Sequence, residues 1–416
     1  MQGTFAARHA SSSKRLSRRS ALKGGAGLGV TLAASGFGHD GAAQPGTPRA
    51  NEGMDQPALP ADTRLALEAI VARRLAEQRI PGVVAGVWLA DRGAWTHAAG
   101  ISDLRTAAPI TIDDHFRIAS VSKTFVATVV LQLVDEGQLS LDDTLQAYVP
   151  GVPNGDRITI RQLLGMTAGL YNYIDDPEFA AAYTSDPLMP FDPHEVIAIV
   201  QRHEPDFPPG AQTRYSDTNY ILAGFIIEQL TGERAAAAID ARIMAPLALA
   251  GTSFPDTPAM PEPYTRGYAA EPRSADLRDL TESNPAVPWT AGAMISTLRD
   301  LRVWGAALAA GTLLSPETQR ERLQISPIAA APGFTFGYGL GIMEINGFLG
   351  HNGAIFGYST WLLHSLAKEA TIVVLANRGE TQTEFAGGIA IDIAHHLFPE
   401  QFPRAAATLV PATPEA

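Results

Sequence analysis

The chain has no cysteine in its 416 residues, which excludes disulfide scaffolds, thiolate nucleophiles and Cys-ligated metal sites and leaves its compartment open. It also lacks any run of about 18 uninterrupted apolar residues, so a membrane-spanning helix is not expected. Positive charge is scarce outside the first fifty residues. That stretch holds 7 of the 31 basic side chains and 1 of the 43 acidic ones, leaving 24 basic against 42 acidic groups elsewhere. A body that acidic is a poor candidate for binding nucleic acid. Lysine is rarer still, with four copies at positions 14, 23, 123 and 368. What the chain does have is 46% hydrophobic residues against 18% charged, enough to bury a substantial core and too much for a disordered or collagen-like protein.

The basic start reads as an address. Ser17-Arg18-Arg19-Ser20-Ala21-Leu22-Lys23 precedes a small, mildly apolar run over 24–35, the plan of a secretory signal of the twin-arginine kind. Export to the periplasm or beyond would follow, with two of the four lysines leaving in the signal; the bland alternative is a disordered basic tail. The expected layout is a signal over 1–43, a Gly/Pro/Ala-rich linker over 44–60, one domain over 61–400 and a tail over 401–416.

Within that domain, the spacing of Leu65, Ile70, Val71 and Leu75 predicts a helix over 61–79, broken by Pro81-Gly82. Apolar runs at 83–89 and 94–99 predict one hairpin, and runs at 357–365 and 370–376 a second. A helix over about 384–397 follows, with Thr381 or Thr383 as its cap. Short loops between strands imply antiparallel neighbours. The expected class is α+β: an antiparallel sheet drawn from both chain ends, flanked by helices, with a mainly helical lobe inserted between.

Lys368 falls in a loop between strands, but Lys123 lies in a segment over 119–134 that is apolar almost all round and belongs in a core. Burial disfavours an ammonium, and the positive end of a helix disfavours it further. Residues three apart share a helix face, so Ser120 and Lys123 meet at the first turn. A neutral amine beside a hydroxyl is an activated serine nucleophile; the competing reading is a lysine paired with a buried acid. Two more stretches carry chemistry-bearing residues: Tyr215-Ser216-Asp217 before an apolar helix over 221–230, and His351-Asn352-Gly353, expected as a loop ahead of the strand near residue 357.

Taken in order, Ser120-x-x-Lys123, Tyr215-x-Asp217 and His351-x-Gly353 resemble the motifs of the serine β-lactamase and penicillin-binding protein superfamily, in the branch of class C β-lactamases, D-alanyl-D-alanine carboxypeptidases and family VIII esterases. Supporting stretches are similar too: Leu139–Asp143, Met166–Leu170, Ala291–Thr297 and Phe336–Gly341. The resemblance implies an acyl-enzyme on Ser120, proton transfer shared by Lys123 and Tyr215, and His351 aiding substrate placement or proton traffic. It also implies an oxyanion hole from the N–H groups of Ser120 and Ala354, substrate contacts at Asp217, Asn352, Gly353 and Tyr171, and no metal or cofactor. The substrate would be a small molecule or peptide: a D-amino-acid peptide, an ester or a β-lactam. Asp217 replaces the usual Asn, His351 the lysine of true β-lactamases and Asn352 a hydroxyl residue, which favours carboxypeptidase-like or esterase activity over penicillin hydrolysis. The removal of a repelling charge by Asp217→Asn would raise activity on acidic substrates. A non-hydrolysing penicillin-binding receptor is the alternative from another class. An α/β-hydrolase elbow, Gly-x-Ser-x-Gly, and a His-Glu-x-x-His metal motif are both missing.

Overall fold

The computed structural model describes residues 56–270, 276–331, 334–380 and 385–403. The expected signal at 1–43, the candidate caps Thr381 and Thr383, and the tail from 404 lie outside the described residues.

The apolar runs become the centre of a sheet. Its strands are β1 (Gly82–Leu89), β2 (Gly93–Asp103), β3 (Ala108–Pro109), β4 (Ser326–Ala331), β5 (Phe334–Tyr338), β6 (Met343–Ile345), β7 (Phe348–Ile355), β8 (Tyr358–Ser365) and β9 (Ala370–Ala376). Among the described residues they pair in the order β3-β2-β1-β9-β8-β7-β6-β5-β4, each neighbour antiparallel. The two chain ends meet at the centre, where Val84 lies opposite Leu375 and Val374 opposite Trp361. Every residue of β1, β8 and β9 is buried, so no alternation of polar and apolar residues marks these strands.

Five helices fix the rest: α1 (Ala61–Gln78), α2 (Ser122–Asp135), α3 (Thr218–Thr231), α4 (Leu298–Ala310) and α5 (Phe385–Leu397). Successive residues of a strand face opposite sides, and β8 shows which helix covers which. Gly387 of α5 packs so tightly on the Trp361 ring that a Cβ there would come within 2.8 Å, while Gly305 of α4 stands the same way over Leu362, at 2.7 Å. Helices α4 and α5 therefore cover opposite faces. On the α5 side, Asp392 accepts hydrogen bonds from Arg73 and Arg74 of α1, both at 2.7 Å, tying the two terminal helices together. The helical segments between β3 and α4 form the lobe expected from the sequence, and the turn that leads into its helix α2 packs against β7. That junction holds the three motifs.

One placement differs from the sequence reading. His351-Asn352-Gly353 is not a loop ahead of a strand but the middle of β7, paired with Leu362, Trp361 and Thr360 of β8. The segment mixes glycine and polar side chains, so no apolar run announces a strand; the pairing with β8 makes it one.

Candidate active site

Ser120 sits in a turn of 3₁₀ helix, Ala119–Val121, that leads into α2. Ala119 has φ 46°, a left-handed conformation that an alanine adopts only at a cost, of order 1 kcal/mol. The surroundings hold it there. Ile118 donates its N–H to the Met294 carbonyl, the Met294 N–H reaches Ser122 Oγ at 3.1 Å, and Gly292 packs on Ala119. The Ala291–Thr297 stretch is thus the buttress of the nucleophile turn.

One turn on, Lys123 is completely buried. Its Nζ lies 2.9 Å from Ser120 Oγ, 2.5 Å from Asp217 Oδ1 and 2.7 Å from the Ala291 carbonyl oxygen. Burial lowers its pKa from the usual lysine value, and the Asp217 carboxylate offsets part of that fall. The two sequence readings of Lys123, amine beside a serine and partner of a buried acid, therefore both hold in one cage. The side chain of Asp217 keeps 15% exposure, so most of it is spent on Lys123 and little on the open side.

Tyr215 approaches from the loop before α3, its ring centroid 4.9 Å from Lys123 Nζ, close enough for the cation to interact with the aromatic face. That loop is moored by Met166, itself at φ 60°: the Arg214 N–H donates to the Met166 carbonyl, the Ser216 N–H contacts its sulfur, and Asn219 Nδ2 donates to the Leu163 carbonyl. From the other side comes His351. Its Nδ1 stands 2.6 Å from the Asn352 carbonyl oxygen and its Nε2 3.0 Å from the Tyr338 hydroxyl. A carbonyl only accepts, so Nδ1 carries the proton and Nε2 accepts from Tyr338. Burial and the nearby Lys123 push the His351 pKa down to about 3, which keeps the ring neutral at ordinary pH. The Tyr215 ring lies 6.2 Å from both His351 and Tyr338.

Strand β7 presses directly on the Ser120 turn. A Cβ on Gly353 would come within 2.4 Å of the Ile118 carbonyl oxygen and 3.0 Å of the Ser120 nitrogen. Only glycine lets the strand come this close to the Ser120 turn. Gly353→Ala is expected to reduce kcat/KM at least about a hundredfold while circular dichroism reports a retained fold, the scale of losing one oxyanion donor. Turnover near the wild-type rate would show that the strand does not need this approach.

The structure thus brings Ser120, Lys123, Tyr215, Asp217 and His351 together, with Gly353 packed on the nucleophile turn. Tyr171 is one step removed: its ring stacks on His203 at 3.8 Å, and its carbonyl accepts from the Thr218 hydroxyl at the start of α3. Three residues of the neighbourhood escape sequence reasoning. Tyr338 fixes the His351 ring. Asn172 accepts the Asp217 N–H at 3.0 Å, and Asp175 hydrogen-bonds the Asn172 side chain. Burial and the charge of Asp217 raise the Asp175 pKa, with Arg214 acting in the opposite sense. Asp175-Asp176, shortly after the Met166–Leu170 stretch, was the signal available for the last two. Among the described residues no group of three or more His, Asp or Glu side chains is arranged to hold a metal ion.

The beta-lactamase family model matches residues 67–395. A D-aminopeptidase of Brucella anthropi is 28% identical over 345 residues, covering 80% of this chain; the chain spans 61% of that relative's length. The esterase EstB of Burkholderia gladioli is 28% identical over 308 residues, 65% of this chain and 78% of the esterase. The crystal structure of a D-stereospecific amidohydrolase from Streptomyces sp. superposes with a TM-score of 0.70 at 34% identity, covering 82% of this chain and 99% of its own. A family model that matches most of the chain, hydrolytic relatives and a shared fold leave one assignment: the chain belongs to the beta-lactamase family of serine hydrolases.

Proposed function

We propose that the protein hydrolyses amides and esters of amino acids bearing a free amino group, with D configuration at the reacting residue, through an acyl-enzyme on Ser120. The observation that carries the chemistry is the fully buried amine of Lys123 at 2.9 Å from Ser120 Oγ. As Oγ attacks the carbonyl carbon, its proton passes to the Lys123–Tyr215 pair, which acts as a coupled unit. The N–H groups of Ser120 and Ala354 receive the developing oxyanion. The protonated leaving group departs, and water then releases the acyl group.

Charge around the site supports an amine on the substrate. Asp175 stands beside Asn172; of the two nearby cations, Lys123 is held by Asp217 at 2.5 Å and Arg214 by Asp206 at 3.0 Å, which leaves Asp175 as the acid group for the substrate. Acid groups favour an ammonium and repel a carboxylate, which argues for an aminopeptidase-like or amidase-like substrate over the free C-terminus of a carboxypeptidase substrate. The names of the relatives, D-aminopeptidase and D-stereospecific amidohydrolase, support the same reading and its stereochemistry; the name of the esterase supports activity on activated esters.

The test compares D-phenylalanine p-nitroanilide with its N-acetyl derivative and with the L enantiomer. The expected result is a fall in kcat/KM of about tenfold or more on acetylation, in the range of one charge-assisted contact, and a loss of that preference in Asp175→Asn. Equal or faster turnover of the acetylated substrate would overturn the amine reading.

A further inference from the structure

We infer that Asp217 is a positioning residue that sets the proton affinity of Lys123, as the fixed counter-charge of the ammonium formed when Ser120 gives up its proton. The inference rests on the Ser120–Lys123 pair of the proposed function, but not on the identity of the substrate.

Lys123 Nζ has three partners within 2.9 Å: the Ala291 carbonyl oxygen, Asp217 Oδ1 and Ser120 Oγ. The first two accept. A neutral amine has two N–H bonds and one lone pair, so with both N–H groups spent on Ala291 and Asp217 its lone pair is directed at the Ser120 hydroxyl. When Oγ bonds to the carbonyl carbon and the carbonyl π pair moves to oxygen, the hydroxyl proton takes that lone pair. The ammonium then has three N–H groups facing the same three acceptors. One cage satisfies both protonation states without rearrangement, a preorganised arrangement.

An asparagine at 217 would satisfy the same N–H through its carbonyl oxygen. What the carboxylate adds is charge alone, which stabilises the ammonium and so raises the proton affinity of an amine that burial depresses. The other groups that face this pair are the rings of Tyr215 and Tyr220, 4.9 and 5.8 Å from Nζ, His351 from β7, and Tyr173, Asp175 and Tyr338 around Asp217. Asp217 is the carboxylate in contact with Nζ.

The scarcity of lysine makes this directly measurable. With four lysines in the whole chain, labelling the lysine ε-carbon gives an NMR spectrum of countable signals, and the signal lost in Lys123→Met belongs to Lys123. The expected result is that Asp217→Asn lowers the titration midpoint of that signal by about one pH unit or more, while Asp217→Glu leaves it near the wild-type value. The acidic limb of kcat/KM for uncharged p-nitrophenyl acetate should move the same way. An unchanged or raised midpoint in a folded Asp217→Asn protein overturns the inference. If that variant does not fold, Asp217→Ser carries the same expectation and the same refutation. The NMR midpoint reports on Lys123 whether or not D-amino-acid substrates turn over, so the two proposals fail separately.

Discussion

Ser120→Ala is expected to lower kcat/KM on D-amino-acid amides and esters by at least about 10⁴-fold, the loss seen when a nucleophile is removed from a catalytic unit. The adjacent Ser122 hydroxyl cannot substitute. Ser122 is also fully buried, but its Oγ receives the Met294 N–H and braces the turn. The variant should fold normally, since Ser120 contributes one hydrogen bond to Lys123 and that amine keeps its other two partners. Steady-state kinetics on purified protein, with thermal melting as a control, checks both halves. A residual rate within tenfold of wild type in a folded protein would remove Ser120 from the chemistry.

Lys123→Met is expected to have the second-largest effect, and to separate two roles of one side chain. Methionine fills the same buried tunnel but takes no proton, so turnover should fall by several orders of magnitude, as for Ser120→Ala. Combining the two substitutions should cost scarcely more than either alone, because the pair acts as one unit. Stability should fall as well. Leaving a buried carboxylate without the group that holds it costs about 3–5 kcal/mol, and the residual exposure of Asp217 brings the expected loss toward about 2–4 kcal/mol. Adding Asp217→Asn to Lys123→Met should recover much of that stability in a urea titration and none of the activity. Full activity in Lys123→Met, or no stability change in either variant, would contradict this division of roles.

Much of the fold was legible in the sequence because the central strands are buried on both faces and read as plain apolar runs. The hairpins at 83–99 and 357–376 and both terminal helices follow from such runs and their breaks. The strands at 326–345 and β7 did not. They are short or broken by small and polar residues, as in Ser326–Ala331, Met343–Ile345 and the His351–Gly353 centre of β7, so no long apolar run marks them, and each is a strand because it pairs with the next strand in sequence. The site divides in the same way. Ser120 and Lys123 share a helical turn, so local spacing was enough to unite them. Asp217 lies 94 residues from Lys123, and no local pattern distinguishes a carboxylate that faces substrate from one that faces a buried amine. Tyr338 was visible only as part of a glycine-rich stretch; its role appears once β5 and β7 lie two strands apart in the sheet and its hydroxyl meets His351. The supporting stretches noted for their resemblance also gain physical roles. Met166 moors the Tyr215 loop, and Ala291 receives Lys123. Gly341, at φ 72°, lets its turn close on Ala127, where a Cβ would come within 2.1 Å.

The most direct measurement of the central claim is rapid acid quenching during turnover of a D-phenylalanine ester, followed by mass spectrometry of the digested protein. The account predicts the phenylalanyl mass on the peptide containing Ser120, absent from Ser120→Ala. The same mass on another peptide, or product formed in a burst with no acyl group on the protein, would contradict it.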